Sequence, residues 1–212
     1  MRNNIINSNI VSIIGEVASE FCFSHEAFGE RFYVVNVLVK RLSNTKDSIQ
    51  LMISERLIDV AKNYTGAFVK VSGQYRSYNY HENQSNHLIL SVYVRKITII
   101  NDEEYGFKTN SIILDGHICK QPVFRITPME KKITELLVAV NRPFGKADYI
   151  PCICWGINAL YASDYNVGDQ VHLIGRIQSR EYTKKLAENK SEKRIAYEVS
   201  ISKIYMLRPI AV

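Results

Sequence analysis

An internal repeat constrains the fold of this 212-residue chain more than any other feature of its sequence. Gly116 lies 101 positions after Gly15, inside the similar segments NSIILDGHI and NIVSIIGEV. Gly175 lies 102 positions after Gly73, and these two glycines end the similar segments VHLIG and VKVSG. Similar stretches that recur in the same order at a nearly constant offset indicate a duplication rather than chance similarity.

The duplication divides the chain into two units of similar length. Between the glycine anchors, NVLVKR at 36–41 corresponds to LVAVNR at 137–142, again at the same offset. We therefore predict two homologous domains, residues 1–100 and residues 110–207. The short polar and acidic segment 101–110 is interpreted as the linker between them.

Each unit has the pattern of a small β-barrel. Runs rich in β-branched residues dominate, and several alternate between apolar and polar positions as half-buried strands do. One helix-compatible stretch recurs after the third strand run, at Glu55–Tyr64 and at Gly156–Tyr165. Five strands with a helix after the third are the layout of the OB-fold. The sequence predicts an all-β protein of two tandem five-stranded OB-fold barrels, each with one helix between strands 3 and 4. The recurring glycines suit positions where a strand bends to close a small barrel.

Composition excludes several classes of protein. No stretch approaches the ~20 apolar residues of a membrane span, so no membrane partner is expected. Lys and Arg number 27 against 21 Asp and Glu, a basic excess compatible with a polyanionic partner. Cys152 and Cys154 form a CxC pair without further ligands nearby, which favours buried apolar residues over a metal site. We expect reduced cysteines, no metal, no cofactor and a cytoplasmic, nucleoid-associated location.

The sequence contains no constellation typical of catalysis. It has no phosphate-binding Gly-rich loop, no nucleophile elbow and no HExxH zinc motif. The five histidines are scattered without ligand spacing. We therefore expect that the protein is not an enzyme. A hydrolase or nuclease on an OB scaffold would need residues that this chain does not bring together.

The third strand of the second unit carries aromatic residues on one face. Single-strand binding combines rings for base stacking with cations that follow the backbone. Residues two apart on a strand share a face. The face predicted to point outward contains Tyr149, Pro151, Ile153 and Trp155, and the opposite face contains Ile150, Cys152 and Cys154. The alternative is that Trp155 packs against the following helix as part of the core.

A second candidate face follows Gly175. It presents Gln178, Arg180 and Tyr182 at alternate positions, which supply a hydrogen-bonding amide, a cation and a ring. It continues into a cation-rich segment, 183–194, which is predicted as a loop. The first cations of this segment are Lys184 and Lys185. These cations either contact phosphates or form an ordinary solvated surface.

The second unit resembles the bacterial single-stranded DNA-binding protein family from end to end. The resemblance is carried by NSIILDGHI, by YIPCICWGINALY and by YNVGDQVHLIGRIQSREY. It implies base-stacking roles for Tyr149, Trp155 and Tyr182, and approximately for Phe144, with Arg142 as a nearby cation. It also implies non-sequence-specific binding of single-stranded DNA in replication, recombination or repair. Family members present four OB domains per assembly, so a chain with two barrels is expected to form a homodimer.

The first unit departs from this pattern. Ser48 and Ser54 stand where the second unit has Tyr149 and Trp155. The strand after Gly73 still presents the cation and rings Arg76, Tyr78 and Tyr80 on one face. The first barrel is therefore expected to bind DNA partially or mainly to build the dimer.

The chain ends in a basic and apolar segment rather than an acidic tip. Acidic tips recruit replication and repair proteins in this family, so tail-mediated recruitment is not expected here. We expect instead a specialised paralogue of a phage or plasmid. The remaining alternative is a primosomal-type OB adaptor that mainly docks replication proteins. Such an adaptor predicts weak binding to naked DNA.

Overall fold

The protein is described by a computed structural model. It describes residues 8–41, 43, 45–82, 85–101, 109–187 and 190–207, and among these only the backbone of 80–82, 85–87, 182–187 and 190–194. Within that part of the chain, strands dominate and a single α-helix is present. The predicted all-β class is confirmed.

The first half of the chain forms six strands. They are β1 (Asn9–Val17), β2 (Cys22–Ala27), β3 (Glu30–Lys40), β4 (Lys46–Ser54), β5 (Phe68–Glu82) and β6 (Ser85–Ile100). Strand β1 pairs with both β3 and β5, β3 pairs with β4, and β5 pairs with β6. A short parallel pairing between β4 and β6 closes these five strands into a ring. Strand β2 lies outside the ring, paired only with β3.

The second half repeats this arrangement. Its strands are β7 (Asn110–Ile118), β8 (Val123–Ile126), β9 (Lys132–Asn141), β10 (Ala147–Trp155), β11 (Gln170–Ala187) and β12 (Lys190–Met206), with α1 (Ile157–Ser163) after β10. The ring β7–β9–β10–β12–β11 closes through a parallel pairing of β10 with β12. Both rings enclose valine, leucine and isoleucine side chains that are almost completely buried. An antiparallel sheet closed in this way leaves few unpaired edges.

Two details of the sequence prediction are wrong. Each half has an additional strand, β2 or β8, beyond the five that were predicted. The stretch Glu55–Tyr64 forms turns instead of a helix. Asp59 accepts a hydrogen bond from the amide of Ala61, and Asn63 accepts one from the amide of Thr65. Such local bonds compete with helical bonding, since they occupy amides that a helix would use.

The recurring glycines lie where strands approach each other closely. A Cβ on Gly73 would be 2.3 Å from the carbonyl oxygen of Tyr93, and one on Gly175 would be 2.3 Å from that of Ser200. Both positions are β-bulges. A side chain on Gly15 or Gly116 would likewise meet the neighbouring strand. The glycines are therefore required by close contact between neighbouring strands, a reason that differs from the strand bend that the sequence predicted.

The two rings are joined by a shared ladder. Strands β1 and β7 pair antiparallel, from Asn9 opposite Leu114 to Ile13 opposite Asn110. Asn9 bonds both backbone polar groups of Tyr75, and Asn110 bonds both of Ile177 in the same way. Residues 102–108 of the predicted linker lie outside the described residues, and Asn110, assigned to its end, already begins β7.

Candidate nucleic-acid interface

The outer face of β10 carries two of the predicted rings. Tyr149 is 44% exposed and Trp155 is 38% exposed, whereas Ile150, Cys152 and Cys154 are buried in the barrel. The predicted alternation therefore holds along most of the strand. At this exposure Trp155 is not part of the buried core.

Ile153 is an exception on that face. It was predicted to point outward but is only 5% exposed. It lies in the middle of the sheet, with Glu135 of β9 and Ser200 of β12 as its neighbours. Adjacent strands on both sides leave little room for solvent at this position. The side chains of Tyr149 and Trp155 are therefore separated by a covered segment of β10.

Phe144 is the most exposed of the predicted rings. It follows β9 in the turn Pro143–Gly145 and is 99% exposed. Its φ of 63° lies in the left-handed region, which bulky side chains rarely adopt. A fully exposed ring on a strained backbone gains nothing from burial, and strain of this kind occurs preferentially at binding sites.

The five-stranded ring of the first half of the chain also contacts β10. The amide of Tyr149 donates to the hydroxyl of Ser77, and the amide of Ser77 donates to the carboxylate of Asp148, both at 2.8 Å. The end of β5 therefore lies against the beginning of β10. Tyr78, which is 65% exposed, follows Ser77 on β5. The structure thus brings into contact the two strands that carry Tyr78 and Tyr149, which the sequence assigned to separate domains.

Arg76 and Arg142 meet at the buried carboxylate of Asp148. The Nη1 atom of Arg76 and the Nε atom of Arg142 are each 3.5 Å from Asp148 Oδ2. Burial lowers the pKa of Arg76, and the negative charge of Asp148 opposes this effect. Burial also raises the pKa of Asp148, against the amide of Ser77 and the two guanidinium groups. Both predicted cations are therefore partly buried at the junction of the rings.

The predicted face of β11 is only partly exposed. Gln178 is only 7% exposed, so the solvent exposure predicted for it is wrong, although it lies on the opposite face of β11 from the core residue Ile177. Its amide donates to Glu198 at 2.6 Å and accepts from Arg176 at 2.9 Å, and these bonds hold the side chain inside the protein. Arg180 is exposed, and the neighbouring Ser179 donates its amide to Asp47 of the first ring at 2.7 Å. Arg180 therefore lies beside β4, at the opposite junction from Tyr149.

The remaining predicted residues lie on long hairpins. Tyr80 is in β5, and Tyr182, Lys184 and Lys185 are in β11, but their side chains lie outside the described part of the structure. The cation-rich segment after Tyr182, predicted as a loop, is instead strand, because β11 and β12 pair through this region. Its pairs include Lys184 opposite Glu192.

Sequence reasoning missed the residues that join the rings. Asp47 and Asp148 accept equivalent backbone bonds from Ser179 and Ser77 of the opposite ring. The signal was present, since the two aspartates are 101 positions apart and the two serines 102. Arg95, beside the ring of Tyr93 at 5.1 Å from its centroid, had no such signal.

The described residues offer neither a metal site nor a membrane-spanning helix. In the part of the chain that the structure describes, no three His, Cys, Asp or Glu side chains are grouped to hold a metal ion. Over those residues, no helix has both the length and the apolar character to cross a membrane. Burial raises the pKa of Cys154 to about 12 and raises that of Cys152 well above its usual value.

Five strands closed into a barrel, here with exposed aromatic side chains on β10, define a protein of the OB-fold class. Residues 109–207 match the model of the single-strand binding protein family. The family resemblance predicted for the second unit is thereby confirmed.

Two curated relatives illustrate the extent of the similarity. A single-stranded DNA-binding protein of Halalkalibacterium halodurans is 30% identical over 107 residues, which cover 47% of this chain and 61% of the relative. Single-stranded DNA-binding protein 2 of Listeria innocua is 32% identical over 108 residues, 47% of this chain and 65% of the relative. The chain thus spans less than two thirds of the length of these relatives.

A solved structure matches nearly the whole chain. The wild-type single-stranded DNA binding protein from Thermus aquaticus superimposes with a TM-score of 0.72, covering 96% of this chain and 95% of that one. The two sequences are only 16% identical in this alignment. The similarity therefore establishes the fold over both halves of the chain.

Proposed function

We propose that this protein binds single-stranded DNA without sequence specificity, by stacking bases on its exposed rings and contacting phosphates with neighbouring cations. The observation that carries this proposal is the exposure of four aromatic side chains, those of Tyr149, Trp155, Phe144 and Tyr78. Stacking on such rings contributes about 1–3 kcal/mol per base and tolerates any base. The family of residues 109–207 and the names of their relatives support the same function.

The binding surface is proposed to be a product of both halves. Tyr78 extends the face of Tyr149, because Ser77 and Asp148 hold β5 against β10. A strand that stacks on Tyr149 can therefore continue onto the first ring. We retain residues 1–100 and 110–207 as two OB domains, with the first contributing through β5 rather than through its own third strand.

We further propose a homodimer with four OB domains. The outer face of the ladder between the rings carries a cluster of isoleucines beside Ser12 and Ser111: Ile10 of β1 is 41% exposed, and Ile14, Ile113 and Ile174 are half-buried. Contiguous exposed apolar surface is typical of an interface. Because β1 and β7 are related by the repeat, this face suits a symmetric contact with a second copy.

The biological role that fits this activity is DNA replication, recombination or repair in the cytoplasm, close to the nucleoid. No catalytic step is proposed, since the known function of the matched family is binding. Docking of replication proteins is the competing role and is separated from DNA binding by the following experiment.

The proposal is tested by titrating the protein with oligo-dT while recording tryptophan fluorescence. Trp155 is the only tryptophan in the chain, so quenching reports directly on β10. We expect quenching on binding and an affinity that falls steeply with salt, because phosphate contacts release counterions. Unchanged fluorescence at saturation, or an affinity independent of salt, would contradict the proposal. Absence of oligo-dT binding would favour the adaptor role.

A further inference from the structure

Three arginines line a cleft where the two five-stranded rings meet. The cleft has a volume of about 520 Å³ and is lined by Arg76 of β5, Arg95 of β6 and Arg142 after β9. Arg76 and Arg95 both donate to the side-chain oxygen of Gln74. Both also lie over the ring of Tyr93, at 5.9 and 5.1 Å from its centroid. The guanidinium groups therefore converge on one space.

The charges in this cleft are not balanced. Asp148 is the one carboxylate among its lining residues, and its side chain is fully buried and already accepts the amide of Ser77. The Nε atom of Arg76 is buried and has no hydrogen-bond partner among the described residues, and the buried Nε atom of Arg142 has only its long ion-pair contact of 3.5 Å with Asp148. Buried donors without partners are uncommon and indicate a missing acceptor. The positive charges of Arg142 and Arg95 add to burial in lowering the pKa of Arg76.

The opposite junction provides an internal comparison, because the repeat builds it from equivalent residues. There Arg41 and Arg176 share Asp47, at 2.8 and 3.2 Å. A second carboxylate, Glu198, is reached through Gln178. Two arginines thus face two carboxylates at that junction.

The first junction lacks the second carboxylate. On the hairpin of β11 and β12, Gln178 lies opposite Glu198. On the equivalent hairpin of β5 and β6, Arg76 lies opposite Ser91. At the first junction Arg95 adds a third positive charge, and Ser91 stands where the other junction has the carboxylate of Glu198.

We propose that Arg76, Arg95 and Arg142 form a pocket that binds a phosphate group. Guanidinium groups match the oxygens of phosphate in geometry and charge, and a phosphate would supply the acceptor that the buried Nε atom of Arg76 lacks. The group can come from the backbone of a DNA strand or from a free phosphate compound. Tyr78 and Tyr149 flank this junction, so a strand stacked on them passes close to the cleft. The pocket itself is independent of the stacking rings.

The first test uses inorganic pyrophosphate and no DNA. A ligand that binds the folded state raises the Tm. We expect pyrophosphate to raise the Tm of the unmodified protein beyond the effect of sodium chloride at equal ionic strength. Most of this rise should be lost in Arg95→Gln, whose side chain is exposed and whose replacement leaves the core intact. The control Arg125→Gln removes an exposed arginine paired with Glu135, far from the cleft in the fold, and should keep the full rise.

A second pair of variants tests the charge argument directly. Ser91→Glu places a carboxylate opposite Arg76, as Glu198 is placed opposite Gln178, and should abolish the effect of pyrophosphate. Ser91→Gln is the uncharged control of the same size and should retain it. Circular dichroism spectra of both variants establish that they fold. Equal pyrophosphate shifts in the unmodified protein, Arg95→Gln and Ser91→Glu would overturn the proposal.

The source of the phosphate is decided by the salt dependence of oligo-dT binding. Each phosphate contact contributes about 0.7 to the slope of log K against log salt for a single strand. A slope reduced by about this amount in Arg95→Gln, but not in Arg125→Gln, assigns the pocket to the DNA backbone. An unchanged slope with a lost pyrophosphate effect assigns it to a free phosphate compound. If oligo-dT does not bind at all, the proposed function fails while the pyrophosphate experiment still decides the pocket.

Discussion

Replacing Tyr78 by alanine removes an exposed ring that the first half of the chain contributes to the proposed binding surface. Tyr78 is 65% exposed, so its removal leaves the core unchanged. The loss of one stacked base costs about 1–3 kcal/mol. At about 1.4 kcal/mol for each factor of ten, the Kd for oligo-dT should rise by about 5-fold to 150-fold.

The position of Tyr78 beside Tyr149 also predicts how this variant combines with others. Tyr149 and Trp155 are separated along β10 by about 20 Å, since a strand rises ~3.3 Å per residue. Sites this far apart act independently, whereas neighbouring sites are coupled. Tyr78→Ala should therefore add to Trp155→Ala in binding free energy and deviate from additivity with Tyr149→Ala.

The assay is a double-mutant cycle of oligo-dT affinity, with changes in fluorescence anisotropy of a labelled oligonucleotide as the signal. The label is necessary because one variant lacks the tryptophan. Trp155→Ala should weaken binding more than Tyr78→Ala if the second half dominates. An unchanged Kd for Tyr78→Ala would refute the surface formed by both halves. Full additivity with Tyr149→Ala would show that the two rings do not act on neighbouring bases.

Three further predictions concern stability, assembly and reactivity. Gly175→Ala should destabilise the fold by about 1–3 kcal/mol in urea unfolding, because its Cβ would meet the carbonyl of Ser200, whereas Lys203→Ala should have little effect. An unchanged midpoint for Gly175→Ala would contradict the close approach. Ile113→Asp should reduce the mass in light scattering from a dimer to the 24.4 kDa monomer; an unaltered mass would exclude this face as the interface. At pH 8, a thiol reagent should modify exposed Cys22 quickly but not Cys154, whose pKa is about 12, until denaturant is added; rapid modification of Cys154 in the folded protein would contradict its burial.

The raised pKa of Cys154 determines how the ionisation of this thiol changes the stability of the fold with pH. Burial raises the pKa of this thiol above its ordinary value of 9.0, so the folded state favours the protonated form. The stability associated with that preference is present below pH 9 and is lost as the pH rises toward about 12. Thiolate formation in the folded protein is therefore negligible near neutral pH.

The sequence predicted those features of the fold that local patterns determine. The alternation along Tyr149–Trp155 placed Trp155 outside and Cys152 inside, because strand periodicity alone decides the side. The recurring glycines were recognised as positions that the fold requires, but the close approach of strands that requires them was not predicted. The missing helix at Glu55–Tyr64 was a local error of another kind, since Asp59 and Asn63 favour turns in a stretch whose apolar spacing permits a helix.

The organisation of the candidate site depends on contacts that local patterns do not contain. Gln178 satisfied the alternation of an exposed face, yet Glu198 and Arg176 bind its amide inside the protein. The contact of Ser77 with Tyr149 spans 72 positions, and that of Asp47 with Ser179 spans 132. Both arise only when the β1–β7 ladder sets the two rings side by side. The repeat predicted two units but not their joint surface.

The central claim is that one surface built by both halves of the chain binds single-stranded DNA. The most direct measurement is the quenching of Trp155 fluorescence by oligo-dT, recorded at two salt concentrations for the unmodified protein and for Tyr78→Ala. We expect saturable quenching in both proteins, a steep fall in affinity with salt, and weaker binding by Tyr78→Ala. Absence of quenching, or identical affinities for the two proteins, would contradict the claim.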